Sequence, residues 1–175
     1  MRGKLNTSMI VETAAKIADE NGLDAVTLTH VATKLNIKKQ SLYNHIDNLF
    51  HLKCELVILA NSHLKQYLMH AAVGKSRDEA VLEVAKAYRQ FAHTFPGQYQ
   101  AIISLAWECK DNENFRAATR ELMDILFRVL SQYQLRGEYL THAVLGLRSI
   151  MHGFASLEAS GWFRQPIDKE DSYLL

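Results

Sequence analysis

The sequence predicts an all-α protein, and three observations support that prediction. Glycine and proline are scarce, with 8 and 2 copies in 175 residues, which argues against a turn-rich β protein. Apolar residues make up 48% of the chain, which is enough to build a core. Over most of the length they recur at the period of an amphipathic helix.

The first helix is predicted from Asn6 to Asn21, because apolar residues repeat at helical spacing and Gly22 supplies a stop. The next stretch predicts two short helices joined by a tight turn. Thr27 is a suitable N-cap for the first of them. Asn36 stands where that helix must end, since asparagine tolerates the left-handed conformation.

The second short helix is predicted over Lys38–Ile46, with Leu42 and Ile46 on its buried face. At about 100° per residue, Gln40 and Asn44 point away from that face. The other exposed residues are lysines and hydroxyl-bearing side chains, which bind phosphates or read bases in the DNA major groove. The stretch therefore predicts a helix-turn-helix. The alternative is an ordinary solvated helix face, which the lack of any acidic residue in the segment disfavours.

Residues 27–46 resemble the DNA-binding domain of the TetR family of bacterial repressors. That family has a threonine before the second helix, a Val-Ala pair within it, Leu-Gly-Val at the turn and a closing Leu-Tyr-x-His-Phe run. The corresponding places here hold Thr27, Val31-Ala32, Leu35-Asn36-Ile37 and Leu42-Tyr43-Asn44-His45-Ile46. Leu49 stands where many members place a phosphate-contacting lysine, so that contact is not assigned.

The resemblance implies an amino-terminal helix-turn-helix DNA-binding domain (1–50) and a carboxy-terminal helical domain (51–175) for effector binding and dimerisation. It implies a ligand-responsive transcriptional regulator, a homodimeric repressor that binds a palindromic double-stranded DNA operator. It also implies that Tyr43 and His45 contact phosphate. The full set of residues expected to contact DNA is Thr27, Lys38, Lys39, Gln40, Ser41, Tyr43, Asn44 and His45.

Charge is distributed unevenly along the chain. The net charge is only +1, too small to indicate a nucleic-acid-binding protein by itself. Residues 27–53, however, carry four lysines against a single acid, Asp47. A local basic excess of this kind is typical of a small DNA-binding head on a neutral body.

The rest of the chain also reads as helical. A long helix is predicted from about Asp47 to Ala72, with Gly74 as its stop. Further boundaries are predicted at Ser76, Phe95-Pro96-Gly97, Asp111 or Asn112, and Gly137. Residues 168–175 predict the capped first turns of another helix. Either the chain is truncated there, or a dimer interface rests mainly on the helix before it.

The helix predicted over residues 138–160 is apolar around most of its circumference. A helix of this kind is buried on more than one side, and we expect the second side to be a subunit interface. Gly146 and Gly153 then allow another backbone to approach. Residues 151–154 resemble the TetR subgroup named for its Trp-His-Gly signature, with Met151 in the tryptophan place. The predicted dimer interface is Leu147, Ile150, Gly153, Phe154 and Leu157.

Four residues form the predicted effector pocket: Tyr88, Trp107, Phe115 and His152. At helical spacing the three aromatic residues also fit an ordinary core, and His152 with Glu158 also fits a satisfied polar pair. Few charges lie nearby, so we expect a small hydrophobic or aromatic effector.

No catalytic, metal or cofactor site is predicted. The eight histidines lack acidic or cysteine partners at ligand spacing, and the motifs of hydrolases, P-loop proteins and dinucleotide-binding proteins do not occur. Cys54 and Cys109 have no metal or redox spacing, so both are expected to be reduced in a cytoplasmic protein. No signal peptide or membrane-length apolar run is visible. The alternative to a regulator is a helical enzyme or small-molecule-binding protein without a DNA role.

Overall fold

The computed structural model describes residues 5–166 and 168–174, and all regular elements in those ranges are helical. The α-helices are α1 Thr7–Asn21, α2 Leu28–Leu35, α3 Leu49–Ala72, α4 Arg77–Thr94, α5 Pro96–Leu105, α6 Glu113–Ser131, α7 Glu138–Ala159 and α8 Lys169–Leu174. Two short 3₁₀ helices span Leu23–Ala25 and Lys39–Asn44. The predicted all-α class is confirmed. Within the described residues, no helix is long and apolar enough to cross a membrane.

The chain folds as two compact units. The first unit comprises Met1–His63 and Phe95–Arg120, and the second comprises Leu64–Thr94 and Glu121–Leu175. The whole predicted DNA-binding domain, residues 1–50, falls within the first unit. That unit also takes in the first part of α3, all of α5 and the start of α6, which the sequence pattern did not indicate.

Local capping signals set the helix ends where the sequence predicts them. The Asn6 side chain accepts a hydrogen bond from the Met9 backbone N–H (2.9 Å) at the start of α1. At its end, Gly22 has a φ of 86°, a conformation that favours glycine. The Asn112 side chain accepts from the Phe115 N–H (3.0 Å), so asparagine is the cap of α6.

The first unit is built around an apolar core to which α1, α2, α3 and α5 all contribute. Helices α1 and α5 approach closely at Gly97, where a Cβ atom would lie 2.0 Å from the Ala18 carbonyl carbon. Asp19 accepts hydrogen bonds from the Gln98 backbone N–H (2.9 Å) and side-chain Nε2 (2.8 Å). The Gln98 Oε1 atom in turn lies 2.8 Å from His63 Nδ1 on α3. Buried polar contacts therefore join three helices of this unit.

Cys54 and Cys109 form a disulfide, with their Cα atoms 5.7 Å apart. The expectation that both are reduced is therefore wrong in this structure. Cys54 lies on α3 and Cys109 lies in the turns that follow α5, 55 residues later. The sequence spacing of two cysteines carries no information about such a pairing, because packing of α3 against the α5 region brings the two positions together.

The second unit has a core of its own. Leu64 and Leu68 from α3, Phe91 from α4 and Met151 from α7 are almost completely buried. The Phe91 ring packs edge-on against Tyr67, with 5.6 Å between ring centroids. Aliphatic and aromatic side chains from three helices therefore form this core.

Candidate nucleic-acid interface and effector unit

The helix-turn-helix starts from a local cap and a left-handed turn. The Thr27 hydroxyl accepts from the His30 backbone N–H (3.1 Å) and caps α2. Asn36 ends α2 with φ 54° and ψ 50°, and the Ile37 N–H donates to the Ala32 carbonyl (3.0 Å). The turn chemistry predicted from Thr27 and Asn36 is thus present in the structure.

The recognition segment, residues 38–46, is not the α-helix that the sequence predicts. Lys39–Asn44 form a 3₁₀ helix, and the Ser41 N–H donates to the Lys38 carbonyl (2.9 Å), three residues back. So short a segment scarcely offsets the cost of helix nucleation, and its serine and asparagine compete for backbone hydrogen bonds. At 3.0 residues per turn, Gln40 and Asn44 lie about 120° apart around the axis instead of about 40°.

The recognition segment still exposes the side chains that the sequence predicts to face DNA. Leu42 and Ile46 are fully buried and anchor the segment in the core of the first unit. Ser41 and His45 are half-buried. Six of the eight residues predicted to contact DNA are exposed, namely Thr27, Lys38, Lys39, Gln40, Tyr43 and Asn44.

The lysines near the recognition segment differ in their partners. Lys34, on α2, lies 3.0 Å from the Glu20 carboxylate. Within the described residues, neither Lys38 nor Lys39 forms an ion pair. Two unpaired positive charges at the start of the segment are therefore free to neutralise phosphates.

A polar junction that the sequence analysis missed joins the recognition segment to α3. Asn48 accepts from the His51 backbone N–H (2.8 Å) and caps α3. The Asp47 N–H donates to His51 Nδ1 (3.2 Å), and the Asp47 carboxylate lies 3.0 Å from the same nitrogen. The sequence signal was an asparagine three residues before a polar residue at a helix start, which is a variant of the capping box.

The residues predicted to form the effector pocket are divided between the two units. In the second unit, the Tyr88 hydroxyl lies 3.4 Å from His152 Nδ1. Burial lowers the pKa of His152, and the nearby positive charge of Arg148 lowers it further. Phe115 belongs to the core of the first unit. Trp107, also in the first unit, is 76% exposed, with the Lys110 ammonium 3.6 Å from its ring centre.

Cavities in the second unit differ in chemistry. One of about 460 Å³ is lined mainly by polar and charged side chains, including Lys86, Arg89 and Glu170. A second, of about 330 Å³, is lined mainly by aliphatic residues, among them Leu82 and Met151. Both volumes lie within the range of small-molecule pockets.

A partly buried ion cluster joins α4 to α7 beside the polar cavity. Arg89 donates from two nitrogens to the two carboxylate oxygens of Glu158, each at 2.8 Å. His93 Nε2 lies 2.9 Å from the same carboxylate. The Arg89 hydrogen bonds lower the pKa of Glu158 to about 2, helped by His93 and opposed by burial. Glu158 is therefore a satisfied ion-pair partner of Arg89 and His93, and not of His152, with which the sequence analysis paired it.

Comparison with known proteins places this arrangement in a family. Residues 81–174 match the family described as Tetracyclin repressor-like, C-terminal domain. The uncharacterized HTH-type transcriptional regulator Rv0681 of Mycobacterium tuberculosis is 39% identical over 158 residues, which cover 90% of this chain and 72% of that protein.

The chain belongs to the TetR family of transcriptional regulators. This confirms the family predicted from the helix-turn-helix residues. Assignment to the subgroup with the Trp-His-Gly signature stays a prediction.

Solved structures show the same fold. A protein of unknown function from Rhodococcus sp. RHA1 superposes with a TM-score of 0.85 at 16% identity, covering 98% of this chain and 91% of that one. The TetR-family regulator PfmR from Thermus thermophilus gives 0.67 at 20% identity, covering 94% and 92%.

Helix α7 of this TetR-family chain has one buried and one exposed apolar side. Val144, Met151 and Ala155 are buried. Among the predicted interface residues, Ile150 is 68% exposed, and a Cβ atom at Gly153 would meet no atom within 4 Å. The others differ in their surroundings: Leu157 is exposed, Leu147 is half-buried, and Phe154 packs on the rings of Phe163 and Tyr173.

Proposed function

We propose that this chain is a homodimeric repressor that binds a palindromic operator and releases it when a small molecule binds. The observation that supports it best is the recognition segment. It forms the second helix of a capped helix-turn-helix and exposes Gln40, Tyr43 and Asn44. It begins with two lysines that lack ion-pair partners among the described residues. Two such segments related by a two-fold axis would enter successive major grooves about 34–36 Å apart.

The exposed side of α7 supports the homodimer. Tyr139 and Ile150 are 76% and 68% exposed and Leu157 is 44% exposed. These three share one side of the helix, although exposed residues of this size are normally scattered. The open space beside Gly146 and Gly153 would allow a second backbone to come near. A second copy supplies the same apolar surface, and a two-fold contact of this kind is self-complementary.

The aliphatic cavity of the second unit supports a small hydrophobic or aromatic effector. Its walls include Val81, Leu82, Ala85 and Met151, and pockets of this class are mostly apolar with a few polar groups. An effector can shift the DNA-binding equilibrium only by its differential affinity for two conformations of the dimer. We therefore expect an Ala85→Phe substitution, which fills the cavity, to abolish the effector response and leave DNA binding intact.

A gel-shift screen of the DNA flanking the chain's own gene tests the DNA role. We expect one fragment to be bound specifically, and the double substitution of Gln40 and Asn44 by alanine should remove the discrimination between fragments. If no fragment binds even at low salt, the proposal fails and a helical small-molecule-binding protein or enzyme becomes the better hypothesis.

Sedimentation at micromolar concentration tests the dimer. The wild-type protein should sediment as twice the 19.9 kDa chain. Gly153→Leu should dissociate it, because overpacking costs about 1–3 kcal/mol and the contact occurs once per subunit. The matched control is Ala159→Leu, which adds the same side chain at the exposed end of α7. A leucine at another glycine, such as Gly74, would not serve, because Gly74 has a φ of 72° and any side chain there is strained. A wild-type monomer would exclude the two-half-site mechanism.

A further inference from the structure

The disulfide lies in the apolar core that also contains the buried residues of the recognition segment. Cys54 and Cys109 are 2% and 1% exposed, and both belong to the apolar cluster that also contains Leu42 and Ile46. Those two residues are the buried anchors of the recognition segment. A covalent bond in this cluster therefore cross-links the same apolar core in which the recognition segment is anchored.

The bond also restrains the helix that follows the recognition segment. Helix α3 begins at Leu49, and Cys54 lies on its second turn. Through Cys109 this turn is tied to the residues after α5, and α5 in turn contacts α1 at Gly97. The disulfide thus closes a connection between α3 and α5 inside the unit that contains the helix-turn-helix.

Cys109 lies beneath a part of the surface that can open without unfolding a helix. Residues 106–111 form consecutive turns between α5 and α6. Trp107 and Lys110, which flank Cys109, are exposed. A local opening of these turns would admit a small oxidant or reductant to the sulfur, because segments with exposed backbone hydrogen bonds open at low free-energy cost.

We propose that Cys54 and Cys109 form a thiol-oxidation site through which hydroperoxides raise the affinity of this protein for DNA. One thiolate attacks the peroxide O–O bond, which gives a sulfenic acid and releases an alcohol, or water from hydrogen peroxide. The second thiol then attacks the sulfenic sulfur, forms the disulfide and releases water. Two electrons pass from the thiols to the peroxide, and a dithiol reverses the change by thiol–disulfide exchange.

The consequence for DNA binding rests on the proposed function. In the disulfide form, the core that contains Leu42 and Ile46 is cross-linked, so we expect it to hold the recognition segment in the conformation that enters the groove. In the dithiol form, α3 and the 106–111 turns can separate, and DNA binding must restore their order. We expect the reduced protein to bind its operator fragment about tenfold more weakly, within the usual range of coupling between sites.

The experiment uses the full-length protein in both redox states. One sample is reduced with a phosphine and a second is then reoxidised with hydrogen peroxide. Each is alkylated and its intact mass is measured, and its affinity for the labelled fragment from the gel-shift screen is measured by fluorescence anisotropy. The chain has only two cysteines, so each alkyl group reports this pair. Cys54→Ser and Cys109→Ser variants provide matched controls that cannot form the bond.

The expected result is two alkylated thiols and weak binding after reduction, and no alkylation and tight binding after peroxide. Both serine variants should bind the fragment as weakly as the reduced protein, and peroxide should not change their affinity. The proposal is overturned if peroxide leaves two free thiols, or if the two wild-type states differ by less than about twofold in affinity, within ordinary variation. If no DNA fragment binds either state, the proposed function fails, while the alkylation result still reports whether the oxidation site exists.

Discussion

Each of the two compact units of this molecule is stabilised internally, and the interactions that stabilise the first differ from those that stabilise the second. In the first unit an apolar core and a disulfide fix the helix-turn-helix, and Lys38 and Lys39 form no ion pair with the described residues. In the second unit, α4 and α7 are joined by the partly buried contact of Arg89 and His93 with Glu158. Two lysines of the first unit are thus left without an ion-pair partner among the described residues, while an ion cluster joins two helices of the second unit.

This difference teaches how a small helical protein can keep charges available for a ligand. Burying an ion pair carries a desolvation cost that good hydrogen-bond geometry must offset, and the paired groups no longer attract other ions. Where apolar packing and a covalent bond supply the stability, lysines can remain unpaired. The first unit should therefore respond to redox conditions, and the second to pH.

Reduction of the disulfide should have the largest effect on stability. The two cysteines are 55 residues apart, and closing a loop of that length stabilises a folded chain by about 4 kcal/mol in the chain-entropy model. Hydrogen exchange in the reduced protein should accelerate in α3 around Cys54 and in residues 106–111. Amides in the middle of α4 and α7 should keep their protection. Equal acceleration in both units would show that the disulfide stabilises the whole chain instead.

Loss of the Glu158 charge should have the next largest effect. Glu158→Gln removes the hydrogen-bonded anionic partner of Arg89 and leaves only Glu170, 3.9 Å away. Breaking a largely buried pair in this way costs about 3 kcal/mol. Urea unfolding of the second unit measures the loss. Glu83→Gln is the matched control, because Glu83 pairs with Lys86 at 2.9 Å on a half-exposed surface, where an ion pair contributes about 0–1 kcal/mol. Similar losses in both variants would contradict the assigned role of Glu158.

The same cluster predicts the direction of the acid response. The Arg89 hydrogen bonds lower the pKa of Glu158 from 4.5 to about 2, so its contribution to stability is complete above about pH 4.5. That contribution should be lost as the pH falls towards 2, because the carboxylate is then protonated in the folded protein too. The stability of Glu158→Gln should depend less on pH over this interval than that of the wild type.

Features set by neighbouring residues could be predicted from the sequence. Thr27 and Asn36 act on the backbone within a few positions, and both occupy the predicted cap and turn. The contact between Cys54 and Cys109, the close approach at Gly97, and the pairing of Glu20 with Lys34 join distant parts of the chain. Helical periodicity says which face is buried but not which helix covers it, so these contacts were not predictable.

The recognition segment shows a second limit. Burial of Leu42 was predictable, because an apolar side chain in a mostly polar segment is favourable only when it faces the core. The choice between an α-helix and a 3₁₀ helix depends on small differences in backbone hydrogen bonding over six residues, and the periodicity of so short a stretch does not resolve them. Six of the eight residues predicted to contact DNA are exposed despite this error, whereas Ser41 and His45 are half-buried. The predicted angle between Gln40 and Asn44 is wrong.

Gln40→Ala should affect sequence discrimination and leave stability unchanged. Gln40 is exposed on the recognition segment, and a glutamine that pairs with a base contributes about 1–3 kcal/mol of discrimination at one position. Binding to a set of single-base operator variants measures it. Gln66→Ala, an exposed glutamine on α3, should bind all variants like the wild type. An equal loss on every operator variant would make Gln40 a phosphate contact instead.

The smallest expected effect separates a free lysine from a paired one. Lys38 has no ion-pair partner among the described residues, whereas Lys34 lies 3.0 Å from Glu20. Removing a lysine that neutralises one phosphate lowers the slope of log affinity against log salt by about one unit. Lys38→Ala should therefore reduce the slope and weaken all sequences equally. Lys34→Ala should change it less, because Glu20 already offsets its charge. If the two variants lower the slope equally, both lysines contact DNA, and ion pairing in the free protein does not decide which charges bind phosphate.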